Sequence, residues 1–533
     1  MPTEIELKLS LYPQAAEAAL RHAAVRALRQ GRTRTARLAN AYYDTADTLL
    51  ANAGVALRVR RIGKRFVQTI KGPSESVAGP GLHARAEFES PLPRAGLDYA
   101  RLAETPWSKL IAKARKRGGL VRAFTTEFER RTIPLAFPDG TRAEFCIDLG
   151  AIRAVRNGRT FRVPIAEIEI ELKSGAASNL FDLAYRLAAD LPVAVMTASK
   201  AQRGFALMRG ERDIIGSPVR AASVALAEDV TTIEAIQALV RECLQQIAAN
   251  ARGLEALDDP EWVHQMRIGT RRLRSCLRLV APHAPSPALD RLNGDVIWLA
   301  QALGAARDWD VFVQETLPPL SRWFARDAGT APGLKRLRRR AESRRRGARA
   351  AARAAVGSPR FQRMLLSGGM LCAMPRFATT VSARESGNHA TLAARADAFA
   401  AALLARRHRH LEQCATALES GSPDERHEVR IAAKRLRYVA EFFAPLFPRK
   451  RGRAYLKALT VLQDVLGCLN DAATALRIAN ESGGTADDAA TGAVRGWVAA
   501  QAAALEPEIA SAWRRFARAK PFWIRNRKGA IDA

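Results

Sequence analysis

Charged and apolar side chains alternate strictly from Thr3 to Leu9, with Glu4, Glu6 and Lys8 on one side and Ile5, Leu7 and Leu9 on the other. Successive side chains of an extended strand point to opposite faces, so this pattern predicts a β-strand with one apolar and one charged face. The same period returns in Arg58-Val59-Arg60, Thr69-Ile70-Lys71, Glu87-Phe88-Glu89, Glu144 to Asp148 and Glu167 to Lys173. One such strand alone is the ordinary signature of a sheet packed on one side, its charges in water. Repeated along the chain, the pattern predicts a closed antiparallel barrel with apolar faces outward and a charged lumen. Crowded carboxylates need metal ions or cations, and crowded arginines need anions. A lumen holding both suits a metal-bound polyphosphate.

Helical periodicity marks Ala15–Gln30, Ala100–Arg117 and Asn179–Leu187 within this first half. The strand pattern stops around Gly210–Pro218, and from about Ala221 the chain is rich in Ala, Leu and Arg at helical spacing. Breaks at Asp259-Pro260, Pro282–Pro287, Pro318-Pro319, Gly357–Pro359, Gly421–Pro423 and Gly483-Gly484 divide it into long helices. The expected fold class is therefore α+β: an N-terminal antiparallel β-barrel over residues 1–208, a linker at 209–220, and an all-α domain over 221–533.

The helical half repeats itself. His264-Gln265-Met266-Arg267 to Leu273-Arg274 matches His427-Glu428-Val429-Arg430 to Leu436-Arg437 at an offset of 163 positions. The same offset carries Leu303-Gly304 onto Leu466-Gly467, Arg307 onto Asn470 and Asp308 onto Asp471. Two pseudo-symmetric helical bundles are expected, with halves at about 221–380 and 381–533. On a helix, His264, Arg267, Arg271 and Arg274 form one stripe, and His427, Arg430, Lys434 and Arg437 form its counterpart. Met266, Leu273 and Leu277, with Val429, Leu436 and Val439, lie off the stripes and are core candidates. A single basic stripe is usually a solvated face; two aligned copies, each with a histidine at the same corner, point to a polyanion.

Charge supports that direction. The formal net charge of +31 divides into +14 over residues 1–220 and +17 over 221–533, so the excess is not confined to one tail. Polyanions follow as a partner class: nucleic acid, polyphosphate, nucleotides or an acidic membrane surface. Between Arg322 and Arg363 stand 14 basic and 2 acidic residues, including Lys335 to Arg340 and Arg344 to Arg346. Such a run is commonly a solvated helix face; it would extend an anion-binding surface or touch nucleic acid weakly. Aromatic residues are sparse in it, so specific nucleic-acid binding is not expected. No Walker loop occurs, which argues against a P-loop NTPase. No apolar run reaches membrane-spanning length, no signal peptide is evident, and the six cysteines form no CxxC pair. A reducing cytoplasm with free thiols is the expected setting. His22, His83, His408 and His410 lack metal-ligand spacing and read as structural or surface residues.

The first half resembles the CYTH family, the triphosphate tunnel metalloenzymes, over about residues 1–208. The resemblance is carried by the Glu-x-Glu-x-Lys of Glu4, Glu6 and Lys8, by Arg58 and Arg60, Lys71, Glu87 and Glu89, Arg130 and Asp148. Alternating Glu167, Glu169 and Glu171, then Lys200 and Arg203, complete it. It implies a tunnel phosphohydrolase. Oxygen donors suit Mg²⁺ or Mn²⁺, so Glu4, Glu6, Glu169 and Glu171, then Glu167 and Asp148, are the metal candidates. Lys8, Arg58, Arg60, Lys71, Arg130, Lys200 and Arg203 would clamp phosphates. Glu87, Glu89 or Glu171 would orient the attacking water, with Lys8 also counted among the catalytic residues.

Residues 221–520 resemble the CHAD family in their HxxRxxxRRLR and LGxxRDWD elements. That resemblance implies paired bundles with a basic surface that binds inorganic polyphosphate through His264, Arg267, Arg271, Arg274, Arg307, His427, Arg430, Lys434 and Arg437. Lys434 and Asn470 depart from their first-copy equivalents. The expected activity is metal-dependent hydrolysis of inorganic triphosphate, a short-chain polyphosphate, alongside capture of longer chains. Association with polyphosphate granules would follow from such capture. The rivals are a class IV adenylate cyclase, a thiamine triphosphatase, and a polyphosphate-binding, granule-targeting protein with little turnover.

Overall fold

The computed structural model describes residues 3–73, 79–211, 215–374, 391–420, 422–481 and 489–524. Gly421, the Gly483-Gly484 break and the expected division of the repeat halves at 380/381 lie outside the described residues. The chain divides into two compact units, one of Met1–Ser217 with Gly357–Arg376, the other of Pro218–Val356 with Phe377–Ala533.

In the first unit the alternating segments form the expected antiparallel barrel. Its strands are β1 (Thr3–Ser10), β2 (Arg34–Asp44), β3 (Ala56–Ile62), β4 (Arg65–Lys71), β5 (Leu82–Leu92), β6 (Val121–Ala136), β7 (Arg142–Arg156) and β8 (Arg159–Ser174). They run in the order β5-β4-β3-β2-β6-β7-β8-β1, and β1 pairs back onto β5 to close the ring. A two-residue strand, β9 (Ala194–Val195), adds to β1 beside Leu9 and Ser10. Register sets the charges opposite one another: Glu4 faces Arg85, Lys8 faces Glu169, Lys71 faces Glu87 and Arg130 faces Asp148.

The apolar faces point outward under helices. Leu7, Leu9, Phe145, Ile168 and Ile170 are fully buried, and the Ser178–Asp190 helix packs on β1 and β8. The charged lining does not run the whole length of the lumen. At one end Leu38, Phe124, Phe128, Ile152 and Ile165 cluster with Ala201 and Phe205 of the Lys200–Arg209 helix, which plugs the barrel there. Gly204 permits the approach, since a Cβ on it would lie 2.0 Å from the Phe124 ring.

Two expected helices are each split. Ala15–Gln30 becomes Ala16–Arg21 and Ala23–Leu28, because His22 turns extended and its Nδ1 accepts the Ala24 N–H at 3.2 Å, capping the second piece. Ala100–Arg117 becomes Tyr99–Ala103 and Ser108–Lys116, divided at Thr105-Pro106, where proline biases its predecessor away from helix.

The second unit is helical and shows the repeat directly. The helix Pro260–Val280 and the helix Pro423–Phe443 have bounds related by the same 163-residue offset. Their N-caps coincide too: Asp259 accepts from Glu261 N–H, and Ser422 forms a capping box with Glu425. Met266, Leu273, Leu277, Val429, Leu436 and Val439 are buried, as their positions off the basic stripes require. The Pro260–Val280 helix packs between Thr232–Ala256 and Pro287–Val311; its counterpart packs between Ala396–Cys414 and Arg449–Glu481. Among the described residues no helix is long and apolar enough to cross a membrane.

Candidate functional site

The barrel brings the lumen candidates to one place. Glu4, Glu6, Lys8, Arg58, Arg60, Lys71, Glu87, Glu89, Arg130, Glu169, Glu171 and Lys200 line a single cavity of about 210 Å³. Arg85, Lys173, Tyr42 and Ser199 line it as well. Arg85 shares strand parity with Glu87 and Glu89, and Lys173 with Glu169 and Glu171, so alternation alone would have found both. Lys200 arrives differently, from the first turn of its helix, which begins at a capping box made by Ser199 and Gln202. A cation at a helix N-terminus opposes the dipole and needs carboxylates to hold it.

Those carboxylates are Asp148, Glu167 and Glu169. The Lys200 ammonium lies 2.6 Å from Asp148, 3.0 Å from Glu169, and pairs with Glu167. Arg130 grips Asp148 with two hydrogen bonds of 2.7 Å and also pairs with Glu169, while Arg203 meets Glu167 at 3.1 Å. Asp148, Glu167 and Glu169 offer oxygens within 4.8 Å of one another, close enough to share a cation. In this structure, however, Asp148 and Glu167 are fully buried behind the cavity wall, with lysine and arginine as their counter-ions. Arg203 likewise lies outside the cavity lining. Burial works against the charged forms here, yet Lys200 and Lys8 hold Glu169 well below the usual carboxylate range, and the acids hold Lys200 well above that of lysine.

Along β1, Lys8 pairs with Glu169 and, at 2.9 Å, with Glu6. Lys71 pairs with Glu4 and, at 3.1 Å, with Glu87; Arg58 stands 3.6 Å from Glu87 and 4.0 Å from Glu89. Glu171 pairs with Lys173. Burial pushes the Glu171 carboxyl up, and the negative charges of Glu4 and Glu6 push it further, so these three acids share one neighbourhood. A set of oxygen donors that repel one another fits a hard divalent ion. Burial and the like charges of Arg58 and Arg130 push Arg60 down to about 10. Its Nε donates to Asn40 at 3.0 Å, and among the described residues it meets no carboxylate within ion-pair distance. The Arg85 Nε is buried without a hydrogen-bond partner.

The helical unit holds a second cavity, of about 410 Å³, into which His264, Arg267, Arg271, Arg307, Arg430 and Arg437 project. Arg274, His427 and Lys434 do not line it, and His427 is exposed. Lys434 is nonetheless packed close by. Burial and the like charges of Arg271, Arg430, Arg267 and Arg437 push its pKa down to about 7. His264 is also lowered, by burial and by Arg307. Sequence reasoning did not place carboxylates here, yet Asp308, Glu315, Asp464 and Asp471 also line the cavity. Asp308 and Asp471 are repeat equivalents, and burial together with their mutual repulsion raises Asp308.

The arginine-rich Ala331–Val356 helix is not simply a solvated face. Arg345 and Arg349 are buried against the fully buried Asp310, at 2.7 and 3.2 Å, and Arg349 reaches Asp258 at 3.0 Å. Lys335, Arg336, Arg338, Arg339, Arg344 and Arg346 are exposed.

The CYTH domain model matches residues 2–205 and the CHAD domain model residues 238–480. An inorganic triphosphatase from Haemophilus influenzae is 32% identical over 209 residues, 39% of this chain. The chain spans about half the length of that curated relative, 55%. Among solved structures, a CHAD domain from the plant Ricinus communis is 34% identical, with a TM-score of 0.49 over 57% of this chain and 99% of that one. A putative adenylyl cyclase from Hippeastrum, described as having a dominant triphosphatase activity, is 19% identical, with a TM-score of 0.28 over 40% of this chain and 97% of that one. The chain therefore carries a CYTH domain followed by a CHAD domain.

Proposed function

We propose that the tunnel unit hydrolyses inorganic triphosphate with the help of Mg²⁺ or Mn²⁺, and that the helical unit binds longer polyphosphate. The observation that carries this reading is the charge inventory of one small cavity. Eight cations, Lys8, Arg58, Arg60, Lys71, Arg85, Arg130, Lys173 and Lys200, face six carboxylates, Glu4, Glu6, Glu87, Glu89, Glu169 and Glu171. Arg60 and Arg85 are the cations left for an anion to satisfy. A volume of about 210 Å³ is below the roughly 300 Å³ at which pockets for drug-sized ligands begin. A bare phosphate chain suits it better than one carrying an adenosine or thiamine group.

Glu4, Glu6 and Glu171, with Glu169 beside them, are the residues that would hold the metal. When bound it supplies charge neutralisation for phosphate oxygens and acidifies a water. The chain's own groups do the rest. Arg58, Arg60, Arg85 and Lys71 hold and align the phosphates, and Lys8, kept charged by Glu169 and Glu6, offsets the charge that develops on the transferring group. Glu87 or Glu89 accepts the water's proton. The plug of Phe124, Phe128 and Phe205 keeps bulk water out of one end.

The test is phosphate release from triphosphate, ATP and thiamine triphosphate, each with Mg²⁺ or Mn²⁺ and with chelator. Metal-dependent release with triphosphate preferred supports the reading. Cyclic AMP and pyrophosphate from ATP, or tight polyphosphate binding with no release from triphosphate, would overturn it.

A further inference from the structure

The helix Pro359–Ala373 lies inside the stretch matched by the CHAD model, yet it belongs to the tunnel unit. The chain leaves the helical unit after Val356, contributes Gly357–Arg376 to the tunnel unit, and then returns. Ser358 caps the helix and Pro359 occupies its first turn, so the sequence marks a fresh start there. The helix packs on Ser178–Asp190 and on β9. Contact is close enough to require glycine. A Cβ on Gly369 would stand 2.2 Å from the Phe181 ring, and one on Gly79 would stand 2.9 Å from the Gly369 Cα. Arg363 donates to the Tyr185 hydroxyl at 2.7 Å and lies 4.5 Å over its ring.

One polar contact reaches further. The Val195 N–H of β9 donates to the Gln362 side-chain oxygen at 2.9 Å, and Gln362 is buried. A two-residue strand has little pairing of its own, so an outside acceptor matters to it. The next residue, Met196, donates its N–H to the Lys8 carbonyl at 3.0 Å, while the Lys8 N–H donates to Gly81 O at 2.9 Å. Gly81 lies under Val195, where a Cβ would stand 2.7 Å from the Val195 Cγ1. The backbone of Lys8 is thus held along one edge, its carbonyl by the β9 strap that ends on Gln362 and its N–H by Gly81.

We infer that the Pro359–Ala373 helix is a working part of the tunnel, and that Gln362 is a positioning residue which fixes β9 and through it the Lys8 segment of β1. A barrel ended at residue 217 would lack this support. The turnover arm of the test rests on the proposed hydrolase reading; the exchange arm does not.

The test uses the full chain with Gln362→Leu, which removes the acceptor, and Gln362→Glu, which keeps it. Amide hydrogen exchange should show the Val195 N–H of Gln362→Leu exchanging about tenfold faster than in the parent chain, as expected for one lost hydrogen bond. Triphosphate turnover should fall several-fold in kcat with KM held, and Gln362→Glu should restore both readouts. Gly369→Leu, which pushes the helix off Phe181, should speed exchange at Val195 and Met196 together. Unchanged Val195 exchange in Gln362→Leu, or a Gln362→Glu chain that behaves like Gln362→Leu, overturns the inference. If the protein releases no phosphate from triphosphate, exchange alone decides it.

Discussion

The two charged cavities solve the same electrostatic problem in opposite ways. In the barrel, register places acids and bases on neighbouring strands, where cross-strand side chains stand about 5 Å apart. The result is a mesh of ion pairs, Lys8 with Glu169 and Glu6, Lys71 with Glu4 and Glu87, Arg130 with Asp148 and Glu169. In the helical cavity the cations come at helical spacing along two stripes, so like charges stack on like. Arg267, Arg271 and Arg430 meet no carboxylate within ion-pair distance among the described residues, and burial with neighbouring charge depresses both Arg267 and Arg430. The strands pair most of their cations before any ligand arrives; the helices leave three of the cavity's five arginines unpaired among the described residues. A tunnel of paired charges suits a short anion delivered with its metal, and a cavity with unpaired arginines suits a polyanion that brings many charges at once.

The largest effect should come from removing the tunnel's acids. Glu4→Gln with Glu6→Gln leaves the cations in place but removes two of the three mutually repelling oxygen donors. Triphosphate turnover should fall on the order of 100-fold or more, comparable to losing a preorganised charge-stabilising group. Polyphosphate binding, read by filter retention or titration calorimetry, should be unchanged. If both fall together, the two cavities are not independent and the comparison fails.

A sharper version sits inside the helical unit, where one arginine pair does have its acid. Asp310→Ala would leave Arg345 and Arg349 buried without their shared carboxylate. Breaking a buried pair from one side costs about 3–5 kcal/mol. Urea unfolding followed by far-UV circular dichroism should show a loss of that size for the helical unit. Arg267→Ala should behave in the opposite sense, since it removes a cation with no ion-pair partner: stability held or improved, and polyphosphate affinity down about tenfold, the scale of one charge-assisted hydrogen bond. The slope of log affinity against log salt should become less steep by about 0.7, the value for one phosphate contact on a single strand.

Much of this arrangement was legible in the chain because it is periodic. A strand's period of two assigns every odd or even residue to the same face, so Glu4, Arg58, Glu87 and Glu169 could be placed in one lumen, and Arg85 and Lys173 carried the same signal. The 163-residue offset likewise survives as matched helix bounds and caps. What was not legible depends on packing between distant segments. Nothing periodic marks Phe205 as a plug, Asp310 as the acid that draws two arginines out of a basic run, or Gly357–Arg376 as part of the tunnel unit. His427 shows the limit of repeat reasoning. It matches His264 in sequence, but only His264 lines the cavity, where Arg307 stands near it; the second copy has Asn470 at the Arg307 position.

The smallest predicted effect tests the comparison most directly, because it asks whether like charge in the helical cavity has a measurable consequence. Lys434 faces Arg271 and Arg267 from the Pro260–Val280 helix and Arg430 and Arg437 from its own, and with burial they lower it from 10.5 to about 7. A lysine so depressed, packed beside the cavity, is half neutral at pH 7 before a ligand binds. A bound polyanion offsets the arginines and favours the ammonium, so binding takes up a proton between about pH 7 and 10. Affinity should therefore fall by about fivefold from pH 7 to pH 8, as the protonated fraction drops from one half to one eleventh. Stability of the empty protein should move the other way. The unfolded chain keeps this proton up to about 10.5 while the folded one releases it above about 7, so the unfolded state binds more protons in that window and stability rises with pH. Lys434→Arg stays charged throughout and should flatten the affinity profile while keeping the affinity seen at pH 6. Calorimetry in two buffers of different ionisation enthalpy reads the proton uptake itself. An arginine variant whose affinity drops as steeply as the parent's would show that the crowding of cations at Lys434 is not what the cavity responds to.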